Sequence, residues 1–204
     1  LICDNHNYGD RFMQLDLNDN FKNKILVAMP NTQHDIFKDS LIYITEHSTI
    51  AGTVGVMINK GLFDYAHDTI GDDTKELLSS DFAMKHDRWK EVPFYLGGPV
   101  DLGSGFLLYT KKGQSQLLLS ESSKISLDLD GVIEPMLVAS GYCMWDTLQL
   151  EREVKYNHWL MLEADDMIIH LMQKFKPELR YAAALNLLGV TSLANFDFAS
   201  AGNA

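Results

Sequence analysis

The sequence predicts an α/β protein, more exactly of the α+β kind, with one domain whose mixed β-sheet core is flanked by helices. Three observations lead there. Short apolar, β-branched segments closed by turn residues fill the first two-thirds of the chain, helix-periodic segments fill the last third, and neither strict βαβ alternation nor an internal repeat is present. A chain of 204 residues, 46% hydrophobic and 22% charged, can bury one sizeable core without disulfides or metals to staple it. Residues 1–20, rich in Asn and Asp, read as a flexible N-terminal arm, 21–198 as the domain and 199–204 as a frayed tail.

The first strand is read at Lys24–Pro30, an apolar run closed by proline. Asn31 or Thr32 then caps a short helical turn that presents Ile36 and Phe37. Ser40–His47 and Gly52–Lys60 alternate and are joined by a turn, which predicts a hairpin. A helix is expected over Asp73–Ser80, turning Leu77, Leu78 and Phe82 to the core. Val92–Val100 is a strand broken at Gly97-Gly98-Pro99, and 105–110, 115–121 and 124–129 are short apolar strands. Asp128 or Asp130 starts a short helix reaching Met136, and a buried strand follows, ending at Gly141. A helix is read from about Asp146, then Trp159–Ala164 as an edge strand or continued helix. Asp165 caps a helix, and Pro177 opens another that Gly189 stops.

The net charge of −11 with neutral histidine argues against a broad nucleic-acid interface. Two cysteines, Cys3 in a polar stretch and Cys143 in an apolar one, make no disulfide framework. No apolar run reaches membrane-spanning length, and the opening residues lack a basic region followed by an apolar core. A cytoplasmic location is expected. Unpaired strand edges make self-association into a homo-oligomer a further expectation.

The stretch from Ala139 to Leu160 concentrates chemistry. On a helix, Trp145, Gln149 and Glu153 share a face at i, i+4 and i+8, Leu150 and Val154 form an apolar stripe, and Glu151 pairs with Lys155 outside. That face is either a polar wall of a pocket, with Glu153 as acid or base, or a wedge in which Trp145 plugs the sheet and Gln149 satisfies loop backbone. The wedge is preferred, because one glutamate beside a glutamine is no catalytic constellation. Gly141 is read as room for a large neighbour and Cys143 as a small core hydrophobe.

Glu46 and His47 are adjacent in a strand and so point to opposite faces. Asn59-Lys60-Gly61 is an anion-binding strand end or a plain turn, and Gly97-Gly98 admits close approach of a ligand or of another chain segment. Gly103-Ser104-Gly105 lacks the spacing of a nucleophile elbow, and Asp128-Leu129-Asp130-Gly131 lacks the further ligands of a calcium loop. Seven scattered histidines make no metal motif, so no metal or cofactor is expected.

Four segments taken together, at residues 24–47, 52–60, 96–110 and 141–160, resemble the AlgH/YqgE family of bacterial proteins. The order and spacing match from about residue 24 to 196. The resemblance implies a single α/β domain and a cytosolic bacterial protein without assigned chemistry, one member of which is named as a transcriptional regulator. It supplies no catalytic residues. Its signature positions fall on Glu46, His47, Asn59, Lys60, Gly97, Gly98, Pro99, Gly141, Trp145, Gln149, Leu150, Glu151, Glu153 and Trp159. Two departures stand out: Gly61 replaces the usual proline, and Leu148 the usual glycine, which removes close backbone approach at the helix. The stretch from Leu129 to Val138 is also short for the family, and the arm before Asn20 lies outside the match.

The reading that follows is a non-enzymatic protein acting through a protein partner or small ligand, with transcriptional regulation implied by the resemblance alone. The alternative is a small-molecule binder or enzyme with a site between Asn59-Lys60, Gly97–Pro99 and the Trp145–Glu153 segment.

Overall fold

A computed structural model describes residues 20–32, 35–61, 92, 94–114, 116–121, 131–164 and 166–190. The expected N-terminal arm, the helix at 73–80, the strand at 124–129, the caps at Asp128, Asp130 and Asp165, and the C-terminal tail lie outside these residues. Eight strands form one sheet: β1 (Lys24–Ala28), β2 (Leu41–Ser48), β3 (Gly52–Met57), β4 (Phe94–Leu96), β5 (Val100–Lys111), β6 (Leu117–Glu121), β7 (Ile133–Trp145) and β8 (Trp159–Glu163). The described helices are α1 (Gln149–Lys155), α2 (Asp166–Lys174) and α3 (Pro177–Leu187). The strand order is β6-β5-β7-β3-β2-β1-β8, antiparallel throughout except that β4 runs parallel to β7. The expected mixed sheet flanked by helices is therefore present. Among the described residues, no helix is long and apolar enough to cross a membrane.

Both faces of the sheet are covered, which explains why its central strands read as continuous apolar runs. Alternate residues of β1 go to opposite sides: Ile25 and Val27 pack with Leu171 and Met172 of α2 and Ala184 and Leu185 of α3, while Leu26 and Ala28 pack with Leu150 and Val154 of α1. In β2, Leu41 and Tyr43 face the α2–α3 side and Ile42 and Ile44 the α1 side, until a bulge between Ile44 and Glu46 interrupts the register. The predicted hairpin is β2–β3. Trp159–Glu163 is the edge strand, not a continued helix, and pairs with β1. The expected turn after Pro30 presents Ile36 and Phe37 to the α1-side core.

Two readings need correction. Residues 133–136 are strand, not helix: Pro135 sits in β7 opposite Tyr109, where the β5–β7 register shifts, an irregularity that tolerates a residue without an N–H. The buried strand also does not end at Gly141 but continues to Trp145.

The cause lies at a crossing. Because β5 occupies one edge of β7 at Val138–Ser140, β4 must hold the other edge, the one β3 also uses. Residues Gly97–Pro99 thus carry the chain across β7. A Cβ on Gly97 would lie 2.2 Å from the Gly141 carbonyl oxygen, and one on Gly98 2.1 Å from the Tyr142 carbonyl carbon. Gly141 answers with φ +68°, and a Cβ there would meet the Gly98 and Val100 carbonyl oxygens at 2.6 and 2.7 Å. The close approach expected of this Gly-Gly pair is to another chain segment. It is locked by Gly97 N–H donating to Ser140 O and Met57 N–H donating to Gly97 O, both at 2.8 Å.

The sheet is not flat. Tyr43 of β2 places its hydroxyl 3.2 Å from the Leu117 carbonyl of β6 and 2.8 Å from Asn23 Oδ1. Four strand steps separate β2 from β6, about 19 Å in a flat sheet. Helix α3 is fastened by a buried cation that the sequence does not advertise. Arg180 donates to the carbonyls of Ile58 (2.6 Å), Met172 (2.9 Å) and Phe175 (3.0 Å), satisfying the C-terminal end of α2, and lies over the Tyr95 ring.

The glycine crossing predicts that Gly141→Ala destabilises the fold by about 3 kcal/mol or more in denaturant unfolding. Gly103→Ala, where an added Cβ meets nothing within 4 Å, should be close to neutral. A second expectation concerns Tyr43, whose phenol is pushed up from 10.0 to about 12 by burial and, secondarily, by Glu46. The folded chain holds this proton more tightly than the unfolded chain. Its contribution to stability is therefore full below pH 10.0 and is lost as pH climbs to about 12. Phenolate absorbance should show Tyr43 ionising above the ordinary range together with Tyr95 and Tyr181, which burial also raises, and Tyr43→Phe should lessen the loss.

Candidate functional site

The site grows from the end of β7. Trp145 is its last residue, so the side chain points to the α1 face by strand alternation, not helical spacing. The reading of Trp145, Gln149 and Glu153 on one helix is corrected accordingly: only Gln149 and Glu153 are on α1, which starts three residues after the strand. The loop needs Leu148 in the left-handed region at φ 57°, and the helix begins without a side-chain cap at that residue. Gln149 braces the loop instead, its Oε1 accepting the Asp146 N–H at 3.0 Å. The expectation that Gln149 satisfies loop backbone holds.

Glu153 is the node. Its Oε2 accepts the indole N–H of Trp145 at 2.9 Å and of Trp159 at 2.8 Å, and its Oε1 accepts Gln149 Nε2 at 2.8 Å. The two indoles meet edge to face with centroids 6.1 Å apart, and Phe37 packs edge-on against Trp159. Both tryptophans are buried. Three donors on one carboxylate form a charge-assisted set that holds Glu153 as an acceptor. Trp159, on the edge strand, completes the node, and no spacing rule links it to Trp145.

Glu151 is the second correction. Its place at i, i+4 to Lys155 predicts an outward pair, yet it is buried and faces His47, with Oε1 3.6 Å from Nε2. The opposite ring nitrogen, Nδ1, lies 2.8 Å from Thr53 Oγ1. Glu46 and His47 do diverge as strand geometry requires: Glu46 is exposed and pairs with Lys22 at 2.9 Å. The predicted apolar stripe of Leu150 and Val154 is buried.

Asn59 is buried, accepting the Leu41 N–H at 2.7 Å and donating to the Asp39 carbonyl at 2.8 Å, so it ties the turn before β2 to the end of β3. Lys60 donates to the Lys38 carbonyl, and its own carbonyl accepts the Leu96 N–H at 3.0 Å. This brings Asn59-Lys60 beside Gly97, Gly98 and Pro99, and Cys143 Sγ lies 3.5 Å from the Gly97 oxygen. Burial pushes the Cys143 thiol well up, away from thiolate chemistry. Backbone of β7 fills the space against Gly97 and Gly98, and Pro99 is exposed. Among the described residues, no group of three or more His, Cys, Asp or Glu is placed to hold a metal.

A model of the AlgH-like family matches residues 25–193, covering the crossing, the node and all three described helices. The chain belongs to the AlgH-like family. The chain is 32% identical over 188 residues to a UPF0301 protein of Dechloromonas aromatica, covering 87% of this chain and 92% of that one. It is 33% identical over 187 residues to a UPF0301 protein of Neisseria meningitidis serogroup C, covering 87% and 96%. Among solved structures, the solution structure of the AlgH protein from Pseudomonas aeruginosa superposes with a TM-score of 0.57 at 28% identity, covering 87% of this chain and 94% of that one.

The AlgH-like pattern gains a physical reason at Leu148. The family resemblance puts a glycine there, and the left-handed φ is what calls for it. Leu148 points outward, so its side chain takes no space from a site at the node. Leu148→Gly should therefore raise stability, by about 0.5–1 kcal/mol after the added freedom of the unfolded glycine is counted. Glu153→Ala leaves two buried indole N–H groups without an acceptor and should cost about 3 kcal/mol, with a tryptophan emission shift. Thermal unfolding followed by fluorescence measures both.

Proposed function

We propose that this AlgH-like protein works by binding, in the cytoplasm, and that its partner is a protein docking at the corner where the β2–β3 turn meets the β7–α1 connection. The observation that carries the reading is a separation of chemistry from surface. The carboxylate and amides singled out for catalysis or ligand contact spend their hydrogen-bonding capacity inside the fold, on the two indoles, on Asp146 N–H and on the Leu41 and Asp39 backbone. Meanwhile Ile50 and Leu148 are 87% and 40% exposed on the turn and the connection, and Met144, near the end of β7, is 50% exposed. The Thr147 hydroxyl, donating to the Ile50 carbonyl at 2.9 Å, pins the turn to the connection. Apolar side chains held on a fixed frame suit a protein interface better than a nucleic-acid one, and the charge of −11 favours the same choice. The buried, reduced Cys143 fits a reducing compartment.

A photo-crosslinking side chain at position 50 or 144, introduced in bacterial cells, tests this. The expected result is a discrete adduct with another protein that is absent when the crosslinker sits at position 113 and is weakened by Leu148→Asp. An adduct of twice the chain mass would assign the corner to self-association instead. No adduct above the position-113 control, or a catalytic turnover lost in Glu153→Gln, would overturn the proposal.

A further inference from the structure

β8 ends the sheet, and its outer edge is self-complementary. Met29 N–H donates to the His158 carbonyl at 3.2 Å, and Ala164 N–H donates to the Asn23 carbonyl at 3.1 Å. Both contacts continue the β1–β8 register, in which Lys24 opposes Glu163 and Ala28 opposes Trp159. In an antiparallel ladder, residues that bond the neighbouring strand alternate with residues whose N–H and C=O point away from it. His158, Leu160, Leu162 and Ala164 therefore bond the β1 side. Trp159, Met161 and Glu163 turn their backbone groups outward. β8 is the last strand of the order, and none of those outward groups is hydrogen-bonded among the described residues.

Sheet edges are often guarded by proline, by a bulge or by charges along the strand. β8 reads Trp-Leu-Met-Leu-Glu, pairs with β1 without a register shift, and carries its one charge, Glu163, at the end, where Lys24 lies 2.7 Å away. The exposed charges around the strand are sorted by sign. Arg152, Lys155 and His158 precede it, while Glu163 closes it and Asp166 follows. A strand that begins basic and ends acidic meets its opposite when a second copy lies beside it antiparallel; a parallel copy would set Glu163 against Glu163. The outward groups also select the register. The antiparallel pairing that uses all of them has its two-fold axis at Met161. It places Leu160 opposite Leu162 of the second copy and Glu163 opposite Trp159, so no like charges face each other.

We propose that the outer edge of β8 is a self-pairing surface: two copies of this chain join antiparallel across a two-fold axis at Met161, merging two eight-stranded sheets into one. Trp159 and Glu163 of one copy exchange N–H···O bonds with Glu163 and Trp159 of the second, and Met161 exchanges them with its own counterpart. Ile50, Met144 and Leu148 take no part, so this surface stands independently of the corner assigned to a protein partner.

Sedimentation equilibrium of the full chain, from micromolar to near-millimolar concentration, measures the association, and Met161→Pro tests where it occurs. Proline at 161 removes an N–H that points outward and leaves the bonds to β1 in place. The unmodified chain should reach twice the chain mass, and Met161→Pro should weaken the association about tenfold or more. A monomer at every concentration, or a dimer that Met161→Pro leaves intact, overturns the proposal. Amide exchange of the unmodified protein, followed residue by residue by NMR, decides even should that variant not fold. Trp159, Met161 and Glu163 should exchange fast in dilute protein and slowly as concentration rises, with Leu160 and Leu162 slow throughout. Slow exchange at all five in the dilute monomer would mean that another part of the chain covers the edge, and fast exchange at the outward three at every concentration would mean that nothing pairs there; either result overturns the proposal.

Discussion

One carboxylate holds two strands together that the sheet keeps apart. β7 and β8 are four strand steps from each other, about 19 Å on a flat sheet, yet the indoles of Trp145 and Trp159 touch and share Glu153 Oε2. A flat sheet does not permit this; a twisted one does. A twisted sheet is a saddle, so its two diagonals close on opposite faces. Trp145 and Trp159 close one diagonal over α1. Tyr43 and the Leu117 carbonyl close the other on the α2–α3 side. The two clasps hold the same twist from opposite faces, and the apolar residues of β1 and β2 fill the space under each.

The glycine crossing makes the clasp reachable. β7 can be thirteen residues long and serve β5, β4 and β3 because Gly97 and Gly98 pass over it at Gly141 with backbone against backbone. Had the strand ended at Gly141, Trp145 would stand on a helix and not beside Thr53. Function inherits this arrangement. The polar groups of the segment are drawn inward to hold the twist, while the loop that joins clasp to helix leaves Leu148 outside and is pinned by Thr147 to the exposed Ile50. The corner proposed for docking is thus the outer surface of the same joint.

The legible parts of the sequence were those where local pattern and tertiary burial agree. β1, β2 and β3 are apolar or alternating runs closed by proline and turn residues, and α3 carries Pro177 at its start and Gly189, at φ 78°, past its end. The illegible parts were those where distant segments set the environment. Spacing at i, i+4 and i+8 places Trp145 on a helix because it cannot see a strand that runs on past Gly141. Local spacing pairs Glu151 with Lys155, because nothing near it announces that His47, about a hundred residues earlier, lies beneath it. Arg180 carries no local signal, since an arginine on a helix ordinarily lies at the surface, and its partners are carbonyls that have no sequence signature. The resemblance to the AlgH/YqgE family marks positions that the fold places at the crossing and the node, without saying what any of them does.

The central claim is that Trp145, Trp159 and Glu153 act as one unit across the sheet. A double-mutant cycle with Trp145→Phe and Trp159→Phe tests it, because each change keeps the ring and removes one N–H from the shared oxygen. Urea unfolding should show the two substitutions coupled by about 1 kcal/mol or more. Costs that add within about 0.3 kcal/mol would mean the indoles act independently, and the clasp would not be what holds the sheet in its twist.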